Sequence, residues 1–368
     1  MNTEIAPLHH AFRLNGMQYN YEDLKEVAYS LIKEGEPFER RIGDFLLDWL
    51  SDEDTILVTT SGATGVPKRI FLKKEHMVNS ARATGEVLSL REGNSALLCL
   101  PADYIAGKMM LVRAMVLGLE IDFVEPSSEP LWRTIDPYDL MAMVPMQVQN
   151  SLKKLDLFGT ILIGGAPVSG TLHDALQQTT ARVFETYGMT ETCSHVALKA
   201  LNPAAGAVEG AVGNAFKALP GITFSKNAKG CLVLQAPEVT REPLETNDLV
   251  ELLNDKEFIW LGRYDNVVNS GGVKLMPETI EEKLKHVINE TFILGGIPDA
   301  ELGECLVMVV EARELPKDLE KKLQALKTLE KYEFPKHIFV REKFPKTENG
   351  KIKRKELLDL VVSDSGAA

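Results

Sequence analysis

The apolar positions of this 368-residue chain fall into two textures. Up to about residue 200, short apolar runs alternate with stretches whose apolar residues recur at helical spacing. YEDLKEVAYSLIKEG puts Leu24, Val27, Leu31 and Ile32 on one face, so residues 20–50 read as helices. TILVTT at 55–60 reads as a buried strand that ends in a Gly-rich turn and leads to a helix at about 74–89. Further strands are expected at 95–100, 120–124 and 159–163, with helices at 105–117, 137–153 and 168–178. Such alternation predicts a parallel sheet with helices on both faces. From 210 the runs shorten (CLVLQA, LVELLN, EFIWLG) and are separated by Gly, Asn and Pro turns, the texture of successive short strands. After GRYDN (262–266) the pattern changes again: helices fit 277–289 and 316–332, and strands fit 292–296, 305–311 and 337–341. The expected class is therefore α/β: a large domain of layered sheets and helices over 1–264, then a small α+β domain over 265–368.

Composition narrows the partners. Apolar residues make up 45% and charged residues 26%, values of a globular chain with enough length for a sizeable core. The formal charge of −12 disfavours phosphate backbones and anionic lipid, so nucleic acid and membrane are not expected. The charge is uneven: residues 316–356 hold 13 Lys/Arg against 7 Asp/Glu, a basic stretch that points to an anion. Four dispersed cysteines without metal spacing, and no signal-peptide or membrane-spanning pattern, point to the reducing cytosol.

Four stretches carry candidate chemistry. Thr59-Thr60-Ser61-Gly62-Ala63-Thr64-Gly65-Val66-Pro67-Lys68 combines hydroxyls, glycines and a lysine, so converging N–H groups can hold phosphate oxygens; its spacing is not that of GxxxxGK[ST]. Glu185-Thr186-Tyr187-Gly188-Met189-Thr190-Glu191-Thr192 offers an aromatic for a purine, a hydroxyl for a phosphate and a carboxylate for Mg²⁺, though an ordinary surface loop has the same composition. A third runs from Gly262-Arg263-Tyr264-Asp265 through Gly271-Gly272 to Pro277-Glu278, where Pro277 fits a first helical turn. In the fourth, PKTENGKIKR, a Gly turn presents Lys351 at a loop tip.

Together, TSGATGVPK, YGMTE, GRYD…GGVKLMP and PKTENGKIKR resemble, in order and spacing, the signatures of the adenylate-forming superfamily of acyl-CoA synthetases, luciferases and peptide-synthetase adenylation domains. The resemblance spans about residues 55–357. It implies a carboxylate attacking ATP to give an acyl-adenylate, then rotation of a small mobile lid and transfer to a thiol, usually coenzyme A. Thr60, Ser61, Gly62, Thr64, Gly65 and Lys68 are then implied at the β/γ-phosphates, and Gly164, Gly165, Ala166, Pro167, Tyr187 and Gly188 at adenine. Thr190 is implied at the α-phosphate, Glu191 at Mg²⁺, and Asp248 and Arg263 at the ribose. Asp265 would be the hinge, Gly271 and Gly272 would line the pantetheine tunnel, and Lys351 would bridge carboxylate and α-phosphate. Asn247 stands where a glycine is common in the family, and the chain is short before its phosphate loop, so the fold is expected to be trimmed on one side.

LPADYIAGKMMLVRAMVLG, together with GGAP, resembles the o-succinylbenzoate–CoA ligases of menaquinone biosynthesis within that family. Tyr104 and His195 are candidates for the acyl pocket, and Lys108 and Arg113 for a second substrate carboxylate. Five residues apart on a helix, those two cations lie about 140° around and cannot easily face one pocket. Expected partners are a small carboxylic acid, ATP with Mg²⁺ and coenzyme A, with homo-oligomers left open. Other short acyl- or aryl-CoA synthetases, domains that load a carrier protein, and non-catalytic nucleotide-binding relatives share these motifs.

Overall fold

The structure is a computed structural model describing residues 7–59, 68–134, 136–205, 214–285, 287–347 and 352–365. Thr60, Ser61, Gly62, Thr64, Gly65 and Lys351 lie outside the described residues.

The chain opens with two helices, Tyr21–Glu34 and Pro37–Leu50. The Asn20 side chain caps the first by accepting from the Asp23 amide at 3.0 Å, and Pro37 occupies the first turn of the second. Next, Thr55–Thr59 pairs antiparallel with Arg69–Lys73 in a two-stranded sheet. The turn expected to lead from strand to helix is thus followed by a second strand before helix Lys74–Leu88 begins. RIFLK is too short for helical periodicity and carries a period-2 alternation that makes Leu72 its buried residue.

A 13-stranded sheet runs through the described part of the large body. One half is parallel: Glu120–Phe123, Ser95–Leu98, Tyr138–Met143, Phe158–Ile163 and Arg182–Gly188 lie side by side in that order. Alternate residues of these strands enter two different cores. Ala96, Leu98, Leu140, Leu162 and Phe184 face the helices Lys74–Leu88 and Ile105–Leu117, while Leu97, Met141, Ile161, Ile163 and Val183 face Gly170–Leu176. Burial on both faces corrects the expected helix at 137–153. YDLMAM is apolar on both sides of a strand, and only Pro145–Asn150 of that stretch is α-helical.

At Gly188 the sheet changes sense. His195–Ala200 pairs antiparallel with Arg182–Gly188, and Phe216–Ala218, Glu257–Arg263, Leu244–Leu252, Cys231–Gln235 and Thr223–Lys226 continue antiparallel. A separate five-stranded sheet holds Val268–Ser270, Val273–Leu275, Phe292–Asp299, Gly303–Glu311 and His337–Arg341. Helices Pro277–Leu284 and Leu319–Ala325 cover one face and Arg354–Ser365 the other. The helix expected over 316–332 is confined to Leu319–Ala325, with a 3₁₀ turn at Lys331–Glu333. No helix among the described residues is long and apolar enough to cross a membrane.

Candidate active site

The parallel half of the sheet sends its loops to one edge, the carboxyl ends of the strands, where ligands bind in open α/β sheets. Phe158–Ile163 ends in Gly164-Gly165-Ala166-Pro167, and Arg182–Gly188 ends in the turn Thr190–Thr192. A Cβ on Gly164 would stand 2.5 Å from Thr186 Oγ1, so a larger residue there would displace that hydroxyl. Thr186 Oγ1 in turn donates to the Ile163 carbonyl at 3.1 Å. Gly188 is still more confined, because a Cβ there would lie 2.3 Å from the Ser194 carbonyl oxygen. The tight return from Gly188 to His195 also holds Cys193 at φ +61°.

Tyr187, Asp248 and Arg263 are brought together. The Tyr187 hydroxyl donates to Asp248 Oδ2 at 2.6 Å, and Arg263 Nε lies 3.6 Å from Asp248 Oδ1. Asp248 and Arg263 face one another in register on neighbouring strands. Burial and the Asp248 carboxylate push the Tyr187 phenol far above its usual range, so it remains a donor. The sequence reading missed Trp260, whose Nε1 donates to Asp248 Oδ1 at 3.2 Å, and Phe258, whose ring meets Tyr187 edge-on at 5.1 Å. The alternation in EFIWLGR was the available signal, since it places Phe258, Trp260 and Gly262 on one face.

Thr190 is half-buried and Glu191 exposed, and strand Arg69–Lys73 packs beside their turn with Lys68 at its start. The Glu191 carboxylate makes no hydrogen bond or ion pair among the described residues. A hard oxygen donor at the carboxyl edge of the parallel strands is of the type Mg²⁺ takes, since that ion binds through few protein oxygens. Gly271 and Gly272, both at positive φ, turn the chain between two strands of the second sheet. Asp265 lies in the 3₁₀ turn Tyr264–Asn266 that joins the large body to that sheet.

Helix Ile105–Leu117 is buried on nearly all sides, and its two candidate cations diverge. Lys108 Nζ sits 4.9 Å from the Phe45 ring centroid; burial lowers its pKa, with Asp48 the main opposing charge. Tyr104, just before that helix, is half-buried. Arg113, 2% exposed, donates to Ser194 Oγ at 2.6 Å and approaches His195 Nδ1 at 3.4 Å, while its Nε has no partner. No carboxylate pairs with Arg113 among the described residues, and burial pulls its pKa down to about 10, which still leaves it charged. His195 is held well below the usual histidine range by burial and by Arg113, so it is neutral, with Nε2 3.2 Å from Thr84 Oγ1. Ser194 and Thr84 had no signal in the sequence. A cleft of about 260 Å³ opens beside His195, with Ser80, Ala83, Val196, Ile222 and Val239 among its walls.

Residues 19–224 match the family described as AMP-binding enzyme. A 2-succinylbenzoate–CoA ligase of Listeria monocytogenes serovar 1/2a is 26% identical over 370 residues, covering 93% of this chain and 75% of that protein. The solved acyl-CoA synthetase (AMP-forming)/AMP-acid ligase II-like protein of Dyadobacter fermentans is 38% identical with a TM-score of 0.60, covering 92% of this chain and 98% of its own. O-succinylbenzoate coenzyme A synthetase from Bacillus subtilis, solved with ATP and magnesium ion, superposes with a TM-score of 0.70 at 21% identity, over 91% of this chain and 82% of its own. With more than half of its length matched by the family and a 38% identical relative along nearly all of it, the chain belongs to the AMP-binding enzyme family.

Proposed function

We propose that the protein is an AMP-forming acid–CoA ligase acting on o-succinylbenzoate. A carboxylate oxygen of the acid attacks the α-phosphorus of ATP, the bond to pyrophosphate breaks, and an acyl-adenylate forms. The thiol of coenzyme A then attacks the acyl carbon and AMP leaves. In this reading Tyr187 and the Gly164–Pro167 edge hold adenine, and Asp248 accepts from the ribose hydroxyls beside Arg263. Thr190 donates to the α-phosphate, Lys68 and the 60–65 stretch meet the outer phosphates, and Glu191 holds Mg²⁺, which offsets polyphosphate charge. The second sheet and its helices, residues 265–368, act as the lid that carries Lys351, with Asp265 as its hinge and Gly271-Gly272 along the pantetheine path.

The observation that carries the substrate is Arg113. A fully desolvated guanidinium without a carboxylate is costly unless a ligand supplies the anion. A dicarboxylic acid can place one carboxylate at the adenylating edge and the other against Arg113, with neutral His195 and Ser194 beside it. The names of the 25–26% identical relatives point to the same acid. Lys108, on the other side of the helix, is left as a packing residue.

The test is release of pyrophosphate and AMP from Mg·ATP with o-succinylbenzoate, benzoate or octanoate, each with and without coenzyme A. Turnover with o-succinylbenzoate alone, stimulated by coenzyme A, is expected. Turnover only with the monocarboxylic acids would keep the reaction and remove the role given to Arg113. Lys351→Ala is expected to slow adenylate formation about 10²–10³-fold while a supplied adenylate is still converted to thioester, because removing one electrostatic contact to a transition state costs about that much.

A further inference from the structure

His195 is reached by two helices, and each leaves its ring one role. From Lys74–Leu88, Thr84 Oγ1 stands 3.2 Å from Nε2. A threonine hydroxyl has a single proton, and that of Thr84 is spent on the Ser80 carbonyl at 2.9 Å, one turn back. Toward the ring, Oγ1 can therefore only accept. From Ile105–Leu117, Arg113 Nη2 lies 3.4 Å from Nδ1, and a guanidinium has donors only. Nδ1 must then present its lone pair. Both sides demand the same tautomer, with the proton on Nε2.

Ser194 closes the chain. Its Oγ accepts from Arg113 Nη2 at 2.6 Å, which leaves its own proton for Nδ1 at 3.3 Å. The hydrogen bonds thus run one way, from the guanidinium through Ser194 and the imidazole to Thr84 and the Ser80 carbonyl. Thr84 is fully buried, and Arg113 and His195 are nearly so, so a lost link leaves a desolvated donor or acceptor. Arg113 is anchored at Nη2. Among the described residues, Nη1 reaches only the Met110 sulfur, at 3.7 Å, and Nε has no partner. With the proton on Nδ1 instead, two donors would face each other and push the guanidinium out of place.

We propose that Thr84 is a positioning residue for the second substrate carboxylate. By accepting from Nε2 it locks the His195 tautomer whose Nδ1 lone pair, with Ser194, anchors Arg113 by Nη2 and leaves Nη1 and Nε for the acid. The tautomer stands on the hydrogen bonds alone; its consequence for substrate rests on the role proposed for Arg113.

Two substitutions separate this role from packing. Thr84→Val keeps the volume and removes the hydroxyl, whereas Thr84→Ser keeps the hydroxyl. Long-range proton–nitrogen correlation spectra of the histidine rings, recorded without substrate, show which nitrogen is protonated, and the signals lost in His195→Gln identify His195. The wild type and Thr84→Ser are expected to carry the proton on Nε2, and Thr84→Val to gain a population with it on Nδ1. KM for o-succinylbenzoate should rise about tenfold in Thr84→Val, the cost of one buried donor left unpaired, with kcat and the KM for ATP unchanged and Thr84→Ser near the wild type. A wild-type ring protonated on Nδ1 would overturn the proposal. So would an unchanged KM for o-succinylbenzoate in Thr84→Val, or an equal rise in Thr84→Ser accompanied by a lower Tm. A ring protonated on Nε2 in a wild type that does not turn over o-succinylbenzoate would keep the tautomer and overturn the substrate reading instead.

Discussion

Arg113 and His195 are 82 positions apart, and each alone is an ordinary residue in an apolar neighbourhood. Their chemistry arises from mutual burial: burial, and after it the Arg113 charge, keeps the imidazole neutral, while burial alone draws the guanidinium pKa down to about 10. Arg113→Met keeps the volume and removes the buried charge. The variant is expected to be at least as stable to urea, because replacing buried charge by an apolar side chain is often neutral or better. Its KM for o-succinylbenzoate should rise about thirtyfold or more, with benzoate unaffected, since loss of a buried charge pair costs ~2–5 kcal/mol. His195 makes a separate prediction. Its folded pKa is depressed, so below about 6.5 the unfolded chain takes up a proton that the folded chain refuses. Stability from this group is complete above that pH and declines as pH falls through it, by at most about 1.4 kcal/mol per pH unit. Urea midpoints at pH 7.5 and 5.5 should therefore differ less in His195→Gln than in the wild type.

At the scale of elements, the helix Ile105–Leu117 matched its expected span because capping and length mark it, with Gly118 closing it at φ +71°. The strand Tyr138–Met143 was read as helix because a strand buried on both faces loses the period that identifies it. The return after Arg182–Gly188 was also invisible, since nothing in YGMTETCSH states that the next strand runs antiparallel. That return depends on Gly188. In Gly188→Ala the new methyl meets backbone atoms of Ser194 and His195 that cannot rotate away. A loss of about 1–3 kcal/mol in chemical denaturation is expected, as for other overpacked sites. AMP affinity should weaken with it, because Tyr187 would shift relative to Asp248.

For the whole molecule, the cores of the large body are separate from those of the C-terminal module, which implies two unfolding units. Arg354, half-buried in the C-terminal module, pairs bidentately with Glu281 at 2.7 and 2.9 Å and also reaches Glu278 at 3.9 Å. Arg354→Ala would leave the half-buried Glu281 carboxylate with the Leu294 amide but no guanidinium, a loss below the ~3–5 kcal/mol of a fully buried pair. Calorimetry is expected to show a lowered transition for the module while that of the large body keeps its Tm. A single transition displaced as a whole would mean that the two units unfold together.

The sequence by itself determined the reaction class and the alternation of elements. Phosphate-loop, aromatic–hydroxyl–acid and lysine-loop patterns are local in the chain, and the periods of helices and of half-buried strands are local too. What only the tertiary structure decided is which distant residues meet. The ribose-side cluster of Tyr187, Asp248, Trp260 and Arg263 depends on the register between strands Leu244–Leu252 and Glu257–Arg263 and on the sheet order that sets Tyr187 near them. The separation of Lys108 from Arg113 was legible as a helical angle, but the Ser194–His195 environment of Arg113 was not. Asn247 stood in the sequence as a departure without a reason; only the fold places its amide against Asp265. Local patterns specify chemistry and period, whereas register, sheet order and burial are products of packing between segments far apart in the chain.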